Sequence, residues 1–100
     1  MMETPTEPVT EPGTETREHR LKRIRMRSWR RGIKEMDIIL GGFADARLDS
    51  LSAADLDAYE VMLSENDQDL YKWVSGALPM PLAHAPILSI VGDFHKIEYS

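Results

Sequence analysis

The residues whose types could do chemistry gather between Arg27 and Asp37, in the run Trp29-Arg30-Arg31-Gly32-Ile33-Lys34-Glu35-Met36-Asp37. Arg31 carries a planar guanidinium suited to paired hydrogen bonds with a carboxylate or with backbone carbonyls of a partner. Gly32 has no side chain, so another backbone could approach closely there. Glu35 lies four residues after Arg31, and the two would share one face if a single helix ran through both. A plain surface ion pair at that spacing is worth only about 0.3–0.5 kcal/mol. This is recognition chemistry rather than bond-making chemistry. His19, His84 and His95 have no carboxylate or second histidine at a spacing diagnostic of metal binding. The chain has no cysteine, which excludes a disulfide scaffold, a thiolate zinc site and a cysteine nucleophile. Gly41-Gly42 lacks the context of a phosphate-cradling loop. The expectation is a protein with no catalytic residue and no metal site, hence not an enzyme.

The elements that position this segment are helical. Residues 1 to about 16 are Thr, Glu and Pro with few large apolar residues, a composition that buries too little surface to offset ordering and reads as a disordered acidic tail. A first helix is expected from Arg17 to about Arg31, with Met26, Trp29, Ile33 and Met36 at helical spacing as an apolar face and Trp29 as a core residue. Arg20, Arg23, Arg27, Arg30 and Lys34 form a basic stripe on another face. Gly32 marks the junction to a second helix, from about Ile33 to Ala46, which carries Met36, Ile39, Leu40 and Phe43. Gly41 and Gly42 weaken that helix by about 1 kcal/mol each relative to alanine. Ser52, followed three residues later by Asp55, reads as the cap of a third helix reaching about Leu63, with Leu56, Tyr59, Val61, Met62 and Leu63 inward. A short fourth helix from about Asp67 to Ser75 turns Leu70, Trp73 and Val74 inward, and its acidic start suits the positive end of the helix dipole. A last helix opens with Pro86 in its first turn and buries Ile87, Leu88, Ile90, Val91 and Phe94. Strand alternation is absent. The fold expected is all-α, a small five-helix bundle over residues 17–98, preceded by the tail.

Charge is distributed unevenly along the chain. Nine of the twelve Lys and Arg residues fall between Arg17 and Lys34, and ten of the seventeen acids fall between Glu35 and Asp69. Such a dipolar surface suits steering toward a charged protein partner. A small helical domain with a basic stripe could instead bind nucleic acid, or serve as a general interaction module. The overall acidity, with pI near 5.1, weighs against the nucleic-acid alternative. No apolar run approaches the length of a membrane span. The early glutamates fit neither a secretory signal nor a transit peptide, so a cytoplasmic protein without membrane insertion is expected.

The order of motifs resembles the succinate dehydrogenase flavinylation factor family of bacteria and mitochondria. That family's pattern runs from a basic first helix into Arg-Arg-Gly-x-x-Glu-x-Asp, matched here by Arg30, Arg31, Gly32, Glu35 and Asp37. Phe43 and Leu51 match its next stretch. Glu65-Asn66-Asp67-Gln68-Asp69-Leu70, leading into Trp73, is similar to its acidic-Leu-x-x-Trp segment. The resemblance covers about Leu21 to Gly76. The acidic tail lies outside it, and the segment with Pro81, Pro86 and Gly92 departs from the more polar last helix of the pattern.

The resemblance implies a five-helix bundle that binds the flavoprotein subunit of succinate dehydrogenase, and in some bacteria that of fumarate reductase. It implies a chaperone-like assembly factor that promotes covalent attachment of FAD to a histidine of that subunit, with no FAD held tightly by the factor. Its partner-binding residues would be Arg31, Gly32, Glu35 and Asp37, with Arg27 and Arg30 on the basic stripe meeting an acidic surface. On that reading, Gly32→Arg blocks docking with the fold mostly intact, and loss of Glu35 abolishes flavinylation with little change in melting temperature.

Overall fold

The computed structural model describes residues 15–99, with side chains through residue 96. The expected disordered tail therefore lies, for residues 1–14, outside the described residues. Five α-helices follow in order: α1 (Arg17–Trp29), α2 (Lys34–Arg47), α3 (Ala53–Met62), α4 (Asp67–Val74) and α5 (Ala85–Tyr99). A 3-10 turn at Leu48–Ser50 continues α2. Among the described residues no strand occurs, and no helix is long and apolar enough to cross a membrane.

Local chemistry sets most of the boundaries. The Thr16 hydroxyl accepts the His19 N–H at 3.1 Å and caps α1, so this residue of the acidic segment belongs to the helix start. Ser52 caps α3 by accepting from Asp55 N–H at 3.0 Å. Asn66 caps α4 by accepting from Gln68 and Asp69. Gly76, at φ 85°, supplies the left-handed residue that turns the chain after α4. The Leu78 N–H then reaches back to the Lys72 carbonyl at 3.0 Å. The Pro81 carbonyl accepts from His84 and Ala85 as the chain enters α5, with Pro86 in the first turn.

The core gathers Ile24 from α1, Met36, Leu40 and Phe43 from α2, Leu56, Tyr59 and Met62 from α3, Leu70 from α4, and Ile87, Leu88 and Val91 from α5. Phe43 sits at its centre, stacked on Tyr59 at 5.6 Å and edge-on to Phe94 at 5.7 Å. Tyr59 is buried with its hydroxyl 2.8 Å from Ser28 Oγ and 3.3 Å from the Leu40 carbonyl. Ser28 in turn donates to the Ile24 carbonyl at 2.9 Å. Burial pushes the Tyr59 phenol up to about 12. This hydroxyl pair ties α1, α2 and α3 together through the middle of the core.

Three expectations about facing are corrected. The apolar face of the first helix is not Met26, Trp29, Ile33 and Met36. The helix ends at Trp29, so a periodicity counted through Gly32 joins residues of two helices and a loop. The buried positions of α1 are Ile24 and Ser28, with Leu21 packed beside them, while Met26 and Trp29 are 44% and 43% exposed. Val61 is exposed because the inward stripe of α3 runs through Leu56, Tyr59 and Met62, and residue 61 falls on the opposite side. Ile90 sits on the flank of the α5 stripe and is partly exposed. Trp73 and Val74 pack against the core from its margin.

Candidate functional site

The α1–α2 connection, Arg30 to Ile33, is held by charges that come from distant parts of the chain. α1 stops at Trp29, whose indole lies across Gly41 of α2. A β-carbon at Gly41 would fall 2.3 Å from that ring. The Trp29 Nε1–H donates to Asp45 Oδ1 at 3.2 Å. Gly41, expected to weaken α2, is thus the surface on which the end of α1 rests. Ile33 opens α2 with no side-chain cap, and Glu35 and Asp37 occupy its first turn.

Arg31 is the centre of the connection. Its side chain is only 8% exposed, and its Nε donates to Asp67 Oδ1 at 2.7 Å. The same guanidinium donates to the carbonyls of Leu63 at 2.9 Å, Arg27 at 3.3 Å and Glu65 at 3.4 Å. The backbone is tied as well: Arg31 N–H donates to Asp37 Oδ1 at 2.6 Å, and Gly32 N–H donates to the second oxygen of Asp67. Asp67 is the first residue of α4, where the helix dipole favours a carboxylate. One guanidinium and two carboxylates therefore fix the loop against the α3–α4 corner. Glu65, in that corner, reaches His84 Nε2 at 2.7 Å, and the His84 ring lies 6.0 Å from Trp73. The beginning of α5 is so joined to the same corner.

What the lock leaves outside is the surface it presents. Gly32, Lys34, Glu35 and Ile38 are exposed, as is Arg30. Ile38 is 56% exposed, an apolar side chain one turn beyond Glu35. Among the described residues, the Glu35 carboxylate has no hydrogen bond or ion pair. No group of three or more side chains suited to hold a metal ion occurs among the described residues.

The structure sorts the six expected partner-binding residues. Arg31, Gly32 and Asp37 come together in the lock, and Glu35 and Arg30 stand exposed beside it. Arg27 gives its carbonyl to Arg31, while its guanidinium lies 3.9 Å from Glu60 of α3. Two expectations change. Arg31 and Glu35 do not share a helix face, because the helix breaks between them. Arg31 makes its paired hydrogen bonds within the chain, to Asp67 and three carbonyls. Gly32 also has a closer neighbour than any partner: a β-carbon there would sit 3.0 Å from Asp67 Oδ2. Gly32→Arg therefore presses on the Asp67 carboxylate as well as on a docked surface. Asp67 escaped sequence reasoning as a loop-holding residue. Its signal was an acid at a helix start, and nothing local names a partner thirty-six positions away.

The basic stripe of α1 is largely engaged. Arg20 pairs with Asp57 at 2.7 Å and Glu60 at 3.1 Å. Arg23 pairs with Glu60 and, at 2.8 Å, with Glu15. Arg25 pairs with Asp49 at 3.0 Å. Hydrogen bonds from Arg23 hold the carboxyls of Glu60 and Glu15 below the usual carboxylate range.

Comparison with known proteins agrees with the motif order. Residues 22–95 match a family model described as flavinator of succinate dehydrogenase, so the match continues past Gly76 into α5. A mitochondrial succinate dehydrogenase assembly factor 2 of Meyerozyma guilliermondii is 45% identical over 69 residues, covering 69% of this chain and 50% of that protein. A FAD assembly factor SdhE of Acetobacter pasteurianus is 39% identical over 62 residues, covering 62% of this chain and 57% of that protein. A mitochondrial succinate dehydrogenase assembly factor 2 of Candida glabrata is 37% identical over 82 residues, covering 75% and 54%. The chain spans about half the length of the curated relatives it matches.

Proposed function

The chain belongs to the family of flavinators of succinate dehydrogenase, and from that premise we propose that it binds the flavoprotein subunit of succinate dehydrogenase and promotes covalent attachment of FAD to it. The observation that carries this reading is the contrast within the Arg31–Asp37 segment. A buried Arg31–Asp67 pair and two backbone hydrogen bonds fix the loop, while Glu35 stands beside it, exposed and without an intramolecular partner. A loop backbone fixed before binding loses little further freedom on docking, which favours it.

In this reading Gly32, Glu35 and Arg30 meet the flavoprotein, with Ile38 as an apolar neighbour and Arg27 at the margin. Arg31 and Asp37 act through the loop they hold. The factor supplies no catalytic group. It holds the flavoprotein so that the subunit's own histidine and the isoalloxazine are oriented for bond formation, and orientation alone lowers such a barrier substantially. FAD stays with the partner throughout. The cytoplasmic setting belongs to this proposal; two of the relatives named above are called mitochondrial, and that word is theirs.

The test is in-gel flavin fluorescence of denatured succinate dehydrogenase flavoprotein from cells with and without this protein. Loss of the covalent signal in its absence, restored by the native chain but not by a folded Glu35→Ala variant, is the expected result. An undiminished signal in cells lacking the protein would overturn the reading.

A further inference from the structure

Trp29 closes α1 with its indole across Gly41 of α2, where a β-carbon would fall 2.3 to 2.6 Å from the ring atoms. Only glycine lets the ring come this close to the helix. The ring is also held in its plane. Its Nε1–H donates to Asp45 Oδ1 at 3.2 Å, and Asp45 is itself paired with Arg25 at 3.6 Å. Yet the residue stays 43% exposed. Part of the indole is covered by α2 and the rest meets water. A tryptophan that served packing alone would gain most by burying the whole ring. Here a glycine in mid-helix, about 1 kcal/mol less favourable than alanine, holds an aromatic surface in one orientation and leaves it uncovered.

The neighbouring side chain on α2 is Ile38, which precedes Gly41 by three positions and so shares its side of the helix. It is 56% exposed. Glu35 precedes Ile38 by three positions again, and the six residues from Glu35 to Gly41 advance about 9 Å. Gly32, Glu35, Ile38 and Trp29 thus form a continuous strip down the outer side of α2. Arg30, Lys34, Glu35 and Asp45 are exposed around it. An apolar centre with a charged rim is the anatomy of a protein-binding patch. A rigid aromatic at such a centre, ringed by groups that exclude water, is the type of residue that dominates binding. Because the Nε1–H is already taken by Asp45, the ring offers only hydrocarbon outward, and its complement is apolar.

We propose that Trp29 anchors the surface that meets the flavoprotein, receiving with Ile38 an apolar side chain of that subunit while the rim charges pair around it. The inference rests on the docking reading above and extends it from Glu35 along α2.

The chain has two tryptophans, Trp29 and Trp73, so 5-fluorotryptophan gives two fluorine signals, assigned with Trp29→Phe. A dissolved gadolinium chelate relaxes a fluorine in proportion to its access to solvent. Unlabelled, purified flavoprotein subunit should reduce that relaxation at Trp29 about threefold or more, as water leaves an anchor. Size-exclusion chromatography follows the complex separately. Unchanged relaxation of Trp29 within a formed complex would overturn the proposal and leave the docking reading standing. Protection of Trp29 in the free chain, growing with its concentration, would also overturn it, since a second copy would then be the occupant. Absence of any complex would overturn the docking reading and this inference with it. Two exposed aliphatic side chains complete the test. Ile38→Ala should weaken the complex about five- to tenfold, whereas Val61→Ala, on the outer side of α3 and 61% exposed, should leave it unchanged. Equal affinities of the two variants would overturn the proposal.

Discussion

Two arginine–carboxylate clusters join α1 or its end to the second half of the molecule, and they do different work. At the α1–α2 loop, Arg31 and Asp67 are 8% and 15% exposed, and they bond to each other, to the Leu63 carbonyl and to the Gly32 N–H. Along the helix flank, Arg20 and Arg23 are 25% and 40% exposed and share Glu60 with solvent close by. The chemistry is the same, but water screens one cluster and is nearly absent from the other. The flank cluster adjusts charge along a surface. The loop cluster decides a conformation, because neither partner has anywhere else to find a counter-charge.

The largest effect should come from breaking the loop cluster. Asp67→Ala strands a buried guanidinium and releases the Gly32 N–H, and a loss of about 3–5 kcal/mol is expected by chemical denaturation. A loss no greater than that of a surface pair would show that the two clusters are alike after all. Next is Gly41→Ala, which drives a methyl into the Trp29 indole. The ring must leave α2, and a net loss of about 1–3 kcal/mol outweighs the gain in helix propensity. Tryptophan emission unchanged from that of the native chain would argue that the ring had not moved.

The flank cluster should respond more weakly and more sensitively to solution conditions. Glu60→Gln is expected to cost about 1 kcal/mol or less, and the difference should shrink in high salt. Its pH signature has a definite sign. Arg23 hydrogen bonds lower the folded-state values of Glu60 and Glu15 from the ordinary 4.5. Their contribution is present above that value and is lost as pH falls through the lowered folded value. Melting temperature should therefore fall more steeply on acidification below about pH 4.5 in the native chain than in Glu60→Gln. The smallest effect on stability belongs to Glu35→Ala, within about 0.5 kcal/mol of the native chain, although the proposed function requires it to abolish the covalent flavin signal. A large stability loss there would return Glu35 to a structural role.

Much of this architecture was legible along the chain. Thr16, Ser52 and Asn66 stand at helix starts, and Ser52 was readable as a cap because a hydroxyl followed by an acid at the third position satisfies orphan N–H groups locally. Phe43, Leu56, Tyr59, Leu70, Leu88 and Val91 sit inside because helical periodicity reports which side of a helix is apolar. The motif around Gly32 pointed to the family. The same periodicity misassigned Met26 and Trp29, since it cannot see that the helix ends before Gly32. It also could not tell Val61 and Ile90 from their buried neighbours, since apolar residues on the flank of a stripe look alike in one dimension.

By itself, then, the sequence determined the number and order of helices and the Ser52 cap of α3. These rest on interactions within four or five residues, which a linear pattern encodes. Only the tertiary structure decided the roles inside the segment around Gly32. Arg31 turns inward because Asp67, thirty-six residues on, brings a carboxylate and a helix dipole to meet it. Glu35 is left outward because no such partner arrives for it. Pairing of distant charges depends on where the packed core places α4 beside the end of α1, and local residue order does not contain that position.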